Sequence, residues 1–202
     1  DVPYIYKTCT VKLVNKNLSH LLFNVMSREQ VGMYAVYIST HGNMPDLFRN
    51  NPYAGELKDP LLYDVPEEYK EADSKFAAML EEAEKYLGYP YVWGGSDPST
   101  SFDCSGFVSW VLVNSGVKDE GRLGATSLYG ALTPVREDEA RPGDIIFFEG
   151  TLGEGVEGNE GITHCGIYVG DGMMIHCGSP ISYADLSRSY WQEHFYGYAR
   201  AY

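Results

Sequence analysis

The stretch Phe102-Asp103-Cys104-Ser105-Gly106-Phe107-Val108 decides the fold. Asp103 is a favourable N-cap, because its carboxylate can accept from backbone N–H groups that have no partner within a helix. The residues that follow predict a helix over 104–115, which ends before Gly116. Its apolar residues fall on one stripe, formed by Phe107, Val108, Val111 and Leu112. We therefore expect Cys104 in the first turn of a buried helix, where the helix dipole favours a thiolate.

The predicted position of Cys104 is compatible with two roles. A thiolate at a helix N-terminus is a candidate nucleophile, and it requires a base nearby. The alternative is an inert core residue, since free cysteine is among the most buried residue types. The choice between these roles depends on whether the rest of the chain supplies a base.

Two histidines lie on neighbouring predicted strands, 163–169 and 173–177, which are joined by Gly170-Asp171-Gly172. A two-residue Asp-Gly turn would pair position 164 with 179 and place His164 and His176 on opposite faces. A three-residue loop with a bulge at Gly172 would pair 166 with 176 and place both histidines on one face. Only the second register gives a base, His164, with a polar residue, His176, to orient it.

The second register has two further consequences. Gly166 would stand opposite His176 and, having no side chain, would leave room for both imidazoles. Cys165 and Cys177 would point to the other face, where we expect them to pack in the core. The remaining histidines, His20, His41 and His194, have no such neighbours and are expected to be structural or exposed.

The composition excludes several classes of protein. The chain has 202 residues and a net charge of −13, which argues against nucleic acid and anionic membrane surfaces as partners. With 44% hydrophobic and 21% charged residues it is typical of a globular protein, and no apolar run is long enough to span a bilayer. The four cysteines have no CxxC spacing, so we do not expect a zinc site.

The chain divides into two predicted parts. Residues 1–66 are expected to be a mixed accessory extension, and residues 67–202 the main domain. The extension is predicted to contain a strand at 4–14, short helices at 18–26 and 28–39, and a proline-rich segment at 43–66. The main domain is predicted to begin with a helix over 67–87 and to add strands at 145–148 and 196–201, with a Gly/Glu-rich loop at 149–161.

Five short motifs in the main domain appear in a recognisable order. They are Tyr91-Val-Trp-Gly-Gly95, Asp103-Cys104-Ser105-Gly106, Arg141-Pro-Gly-Asp144 with Phe147-Phe148, His164-Cys-Gly-Ile-Tyr168 and Met174-Ile-His176. Each motif alone is weakly specific, but the ordered set resembles the NlpC/p60 family of papain-like cell-wall cysteine peptidases. The resemblance covers about residues 67–202.

This resemblance implies an α+β fold, in which a papain-like NlpC core packs the cysteine-bearing helix against an antiparallel β-sheet. It also implies hydrolysis of bacterial peptidoglycan stem peptides, at the bond between D-γ-glutamate and the diamino acid, by a Cys-His-His triad without a cofactor. By their match to the family motifs, Cys104 is the expected nucleophile, His164 the base and His176 the orienting residue. The positions expected to contact the substrate or the oxyanion are Tyr91, Trp93, Asp103, Ser105 and Ser127.

The same resemblance places the protein outside the cytoplasm, secreted or facing the cell wall, with the stem peptide as its partner. A chain that begins at Asp1 without Met also fits a piece of a longer protein or surface complex. Two alternatives remain open at this point. One is a cysteine amidase or acyltransferase on the same scaffold, and the other is a catalytically silent wall-binding or assembly protein.

Overall fold

The computed structural model describes residues 63–152 and 161–202, which form helices packed on an antiparallel sheet. The α-helices are α1 (Glu67–Ala72), α2 (Ser74–Glu84), α3 (Cys104–Asn114), α4 (Ala125–Ala131) and α5 (Ser189–Glu193), with a 3₁₀ turn at Glu137–Glu139. The strands are β1 (Ser96–Asp97), β2 (Ser101–Phe102), β3 (Thr133–Val135), β4 (Ile145–Glu149), β5 (Ile162–Gly170), β6 (Met173–Cys177), β7 (Ile181–Asp185) and β8 (Phe195–Arg200).

The main sheet has six strands in the order β3-β8-β4-β5-β6-β7, and every neighbouring pair is antiparallel. One face packs against α2, α3 and α4, and the other face packs against a smaller cluster around Trp191 and Phe195. In β4 the residues Ile145 and Phe147 point to the helices while Ile146 and Phe148 point to the smaller cluster. This strand is therefore apolar at successive positions because both of its faces are buried.

Helix α3 begins where the sequence predicts. The Asp103 carboxylate accepts from the Gly106 N–H at 2.7 Å, while the Asp103 backbone is extended. The four predicted stripe residues of this helix are all buried against the sheet. The first turn of α3 also touches the Gly94-Gly95 turn directly, since a Cβ on Gly106 would lie 2.1 Å from the Gly95 carbonyl oxygen. Gly106 is thus required for the close approach of these two segments.

Several elements differ from the prediction. The single helix predicted over 67–87 is two helices, because the Asp73 carboxylate caps a new helix by accepting from the N–H groups of Lys75 and Phe76. The connection around Ala125-Thr126-Ser127 is helix α4, and β7 and α5 were not predicted. The sequence treats these short segments as loops because each has too few residues to display a periodicity.

The predicted strand at 4–14, both predicted helices of the extension and most of the segment at 43–66 lie outside the described residues. Two of the four described residues of that segment contribute to the core. Val65 is buried, and the Tyr63 ring lies 5.2 Å from the Tyr183 ring on β7. In the described ranges, no helix has the length and apolar character to cross a membrane.

We predict that Gly106→Ala destabilises the protein by about 1–3 kcal/mol, because the added methyl collides with the backbone of Gly95. Gly130→Ala is the matched control, since Gly130 also lies in a helix and a Cβ there has open space. The control should be neutral or slightly stabilising, because alanine favours helix more than glycine does. Urea denaturation of both variants measures the difference, and equal midpoints would contradict the close approach.

Candidate active site

Cys104 is the first residue of α3 and is only 5% exposed. Its Sγ lies 3.8 Å from the carbonyl oxygen of Thr163, the residue that precedes His164 on β5. Because the first N–H groups of a helix have no partner within it, the Cys104 N–H is available to an acceptor outside the helix. No acceptor within the described part of the chain is bonded to it.

The structure brings His164 and His176 together on β5 and β6. Gly166 pairs with His176, so both histidines lie on the same face, and His164 Nε2 is 2.8 Å from His176 Nδ1. The predicted register is therefore confirmed, but the predicted loop is wrong. The turn has two residues, Asp171 and Gly172, both at positive φ, and the register shift comes from a bulge between Tyr168 and Gly170. A bulge inserts one extra residue and so moves every later side chain to the other face.

Two glycines leave room for the His176 side chain. A Cβ on Gly166 would lie 2.9 Å from His176 Cβ, and a Cβ on Gly178 would lie 2.8 Å from His176 Cε1. Burial lowers the pKa of His176 well below its usual value, and the nearby His164 lowers it further. His176 is therefore neutral near pH 7. In its tautomer with the proton on Nε2, His176 Nδ1 accepts from the Nε2–H of His164, and the other His164 nitrogen is left for Cys104.

The electrostatic environment of Cys104 favours the thiolate. Its pKa is lowered to about 4, and the largest cause is a hydrogen bond from the Cys165 side chain. Burial opposes this shift, while the charge and hydrogen bond of His164 lower the pKa further. Burial and the adjacent Cys104 raise the pKa of Cys165 well above its usual value, so Cys165 keeps its proton and donates it in this contact. Cys165 is fully buried, as the sequence predicts, but it also lies beside the reactive sulfur. Cys104, Cys165 and Cys177 are free thiols.

The structure separates the other predicted site residues into two groups. Tyr91 lies near Cys104, and burial first, followed by the Cys104 and Asp103 charges, raises the pKa of its hydroxyl, which stays protonated. Asp103 and Ser105 are buried and hydrogen-bonded to each other at 3.1 Å. Trp93 is 74% exposed, and Ser127 is exposed on α4; neither lines the cleft beside the histidines.

Sequence reasoning missed the aromatic residues of α5. Trp191 stacks on His164 with ring centroids 5.6 Å apart and meets the His176 ring edge-on at 5.1 Å. Together with Tyr190 it lines a cleft of about 320 Å³ that also contains Tyr91, Thr163 and both histidines. The only sequence signal for this role was the pair of adjacent aromatics before the last strand.

A cysteine-bearing helix packed on an antiparallel sheet that carries two histidines is an α+β arrangement of the papain-like type. The sequence profile described as NlpC/P60 family matches residues 88–200, which is more than half of the chain. The chain therefore belongs to the NlpC/P60 family.

Three known proteins illustrate the similarity. The bifunctional muramidase/DL-endopeptidase CwlT of Bacillus subtilis is 43% identical over 126 residues, which are 62% of this chain and 36% of that protein. The murein DD-endopeptidase MepH of Escherichia coli is 34% identical over 155 residues, which are 74% of this chain and 52% of that protein. A Staphylococcus aureus crystal structure, described as similar to lipoprotein and of the NLP/P60 family, gives a TM-score of 0.59 at 30% identity over 87% of this chain and 62% of that one. The chain thus spans about a third to a half of the length of these two curated relatives.

We predict that iodoacetamide alkylates Cys104 as a thiolate, at a rate that falls only when the pH drops towards about 4. Cys165→Ala should move this midpoint to higher pH, because the variant lacks the largest contribution that lowers the pKa. Cys177→Ala is the matched control, since it removes another buried thiol that makes no such contribution. Mass spectrometry of the Cys104 peptide follows the reaction, and an unchanged midpoint in Cys165→Ala would contradict the assignment.

We also predict that Trp191 keeps water away from the pair of histidines. In Trp191→Ala, solvent should reach His176 and raise its pKa towards the usual value near 6.5, because burial is the main reason it is low. Trp191→Phe should restore most of the shift, since a smaller ring still covers His176. Titration of the His176 imidazole by NMR tests this, and identical titrations of the wild type and Trp191→Ala would show that the ring does not exclude water.

Proposed function

We propose that this chain is a cysteine endopeptidase that hydrolyses peptidoglycan stem peptides at the bond between D-γ-glutamate and the diamino acid. The observation that carries the proposal is the arrangement of Cys104 beside His164, with His164 bonded to His176 at 2.8 Å. A nucleophile, a base within reach and a third group that orients the base are the parts that covalent catalysis of amide hydrolysis requires. The names of the two curated relatives support peptidoglycan as the substrate.

In the proposed mechanism, the Cys104 thiolate attacks the carbonyl carbon of the scissile amide. Two donors stabilise the oxyanion: the Cys104 N–H, which has no acceptor among the described residues, and the Tyr91 hydroxyl, whose raised pKa keeps it protonated. His164 then donates its proton to the leaving amine, and neutral His176 holds the imidazole in the required tautomer. Water attacks the thioester with His164 as base, which releases the acyl group and restores the thiolate.

Two peptidoglycan bonds are candidates for cleavage. CwlT is named a DL-endopeptidase, and this name supports cleavage of the bond from D-glutamate to an L-configured centre. MepH is named a DD-endopeptidase, and this name supports a second candidate, the bond between two D-centres in a cross-link. We favour the first bond, since CwlT has the higher identity, 43% against 34%. Such a substrate places the protein outside the cytoplasm, with residues 1–66 as an accessory part of the peptidase.

Digestion of purified sacculi followed by mass spectrometry of the fragments tests this proposal. New free amines on the diamino acid support the first bond, and opened cross-links support the second. Release of whole stem peptides would support an amidase instead. Transfer of an acyl group without hydrolysis would support an acyltransferase, and binding without cleavage would support a catalytically silent wall-binding protein. The family assignment is independent of which result is obtained.

We predict that Cys104→Ala abolishes cleavage of muropeptides while the protein remains folded, since alanine is compatible with the first turn of a helix. His164→Ala should lower turnover by about 10²- to 10⁴-fold, because it removes proton transfer. His176→Ala should lower it less, and His176→Asn should recover part of the loss, since an amide oxygen can accept the His164 N–H. Thermal unfolding checks that each variant is folded, and cleavage by folded Cys104→Ala would rule out Cys104 as the nucleophile.

A further inference from the structure

The carboxylate of Asp103 has no lone pair left for a substrate. Its Oδ1 accepts from the Gly106 N–H at 2.7 Å and the Ser105 hydroxyl at 3.1 Å. Its Oδ2 accepts from the Gly94 N–H at 3.0 Å and from the Arg122 guanidinium. A carboxylate offers about four acceptor sites, and four protein donors occupy them here. The acceptor sites of the Asp103 carboxylate are thus used within the protein.

The side chain that remains available at this position is Arg122. Its Nη2 donates to Asp103, and its Nη1 donates to Ser105 Oγ at 3.3 Å and to the Leu123 carbonyl at 2.8 Å. A guanidinium has five N–H groups, so three of the five are used and two remain. The side chain is 36% exposed, so the guanidinium remains partly open to solvent. The three existing bonds fix the guanidinium, which lowers the entropic cost of binding an anion.

Arg122 is also distinguished by its position. Among the lysines and arginines of residues 63–152 and 161–202, it is the one with a hydrogen bond or ion pair to the N-cap and first turn of α3. The other cations with ion pairs contact acidic residues elsewhere, such as Arg136 with Asp138 and Arg200 with Asp144. Arg122 is therefore the cation that is held at the N-terminus of α3, where a negative group on a substrate bound at Cys104 can contact it.

The two sides of the reacting carbonyl can be assigned from the histidines. The leaving amine must lie near His164, since His164 protonates it, and the cleft lined by Tyr190 and Trp191 is on that side. Arg122 does not line this cleft; it contacts Ser105, which follows Cys104 directly. The acyl half of the substrate therefore extends along the first turn of α3, towards Arg122.

We infer that Arg122 is a specificity-determining residue that binds the free α-carboxylate of the D-γ-glutamyl residue; this inference rests on the proposed function. In a γ-linked glutamyl peptide the side-chain carboxyl forms the scissile amide, which leaves the α-carboxylate ionised. That carboxylate lies four bonds from the reacting carbon, about 5 Å when extended. Arginine is suited to this task because its planar fork matches a carboxylate.

Two synthetic L-Ala-D-γ-Glu-diamino acid peptides test the inference, one with a free α-carboxylate and the other with an α-carboxamide at the glutamyl residue. The wild type should cleave the carboxylate peptide with the higher kcat/KM. Arg122→Gln should lower kcat/KM for the carboxylate peptide by about ten- to a hundredfold and change kcat/KM for the carboxamide peptide little. The ratio of the two kcat/KM values should therefore approach one. Arg122→Lys, which keeps the charge but not the fork, should give an intermediate ratio. The control Arg136→Gln removes an exposed, ion-paired arginine of another segment and should leave the ratio unchanged.

The ratio does not depend on how much of the variant is folded, so it separates recognition from a structural role. If Arg122→Gln lowers cleavage of both peptides equally, or if the wild type does not distinguish them, Arg122 only stabilises Asp103 and the inference is wrong. If the wild type cleaves neither peptide, the proposed function fails and the inference fails with it. A preserved preference in Arg122→Gln would also overturn it.

Discussion

The carboxylate of Asp103 is the interaction on which the rest of the site depends. It caps α3, bonds the Gly94 N–H of the aromatic segment and pairs with Arg122, so it joins three segments that are distant in sequence. The position of Cys104 follows from the cap, because the residue after an N-cap is fixed in the first turn. The availability of the Cys104 N–H follows from the same geometry. A buried carboxylate with all of its acceptor sites occupied is well suited to hold such a junction, since each bond is charge-assisted.

The pairing of the histidines depends on one inserted residue. With the two-residue turn alone, His164 and His176 would lie on opposite faces of the sheet, and no imidazole pair would form. The bulge next to Gly170 restores a common face, and the absence of a side chain at Gly166 lets the rings meet at hydrogen-bond distance. Trp191, which comes from a different part of the chain, then covers both rings. The local environment of the base is therefore assembled from two strands and a short helix.

The charge states of Cys104 and its neighbours are determined by how deeply each group is buried and by which groups contact it. Cys104 and Cys165 are both buried thiols, yet the pKa of the first is lowered and that of the second is raised. The proton stays on Cys165 because burial comes first and the Cys104 sulfur and the Asp103 charge also oppose its ionisation, while Cys104 has a donor and the His164 charge beside it. Burial likewise keeps His176 neutral. A nucleophile, a base and a neutral orienting group thus arise from similar side chains through differences in environment.

The sequence by itself determined the α+β class, the capped helix that carries Cys104, the strands with the two histidines and the family resemblance. These features are encoded locally, in an N-cap, in periodicity and in the alternation of a strand. It did not determine the break at Asp73, the helix at Ala125–Ala131 or the bulge that sets the histidine register. It also gave no reason to connect Trp191 or Arg122 with Cys104. Only the tertiary structure decided these points, because a short element has no periodicity of its own, and a contact between segments distant in sequence depends on how the chain packs as a whole.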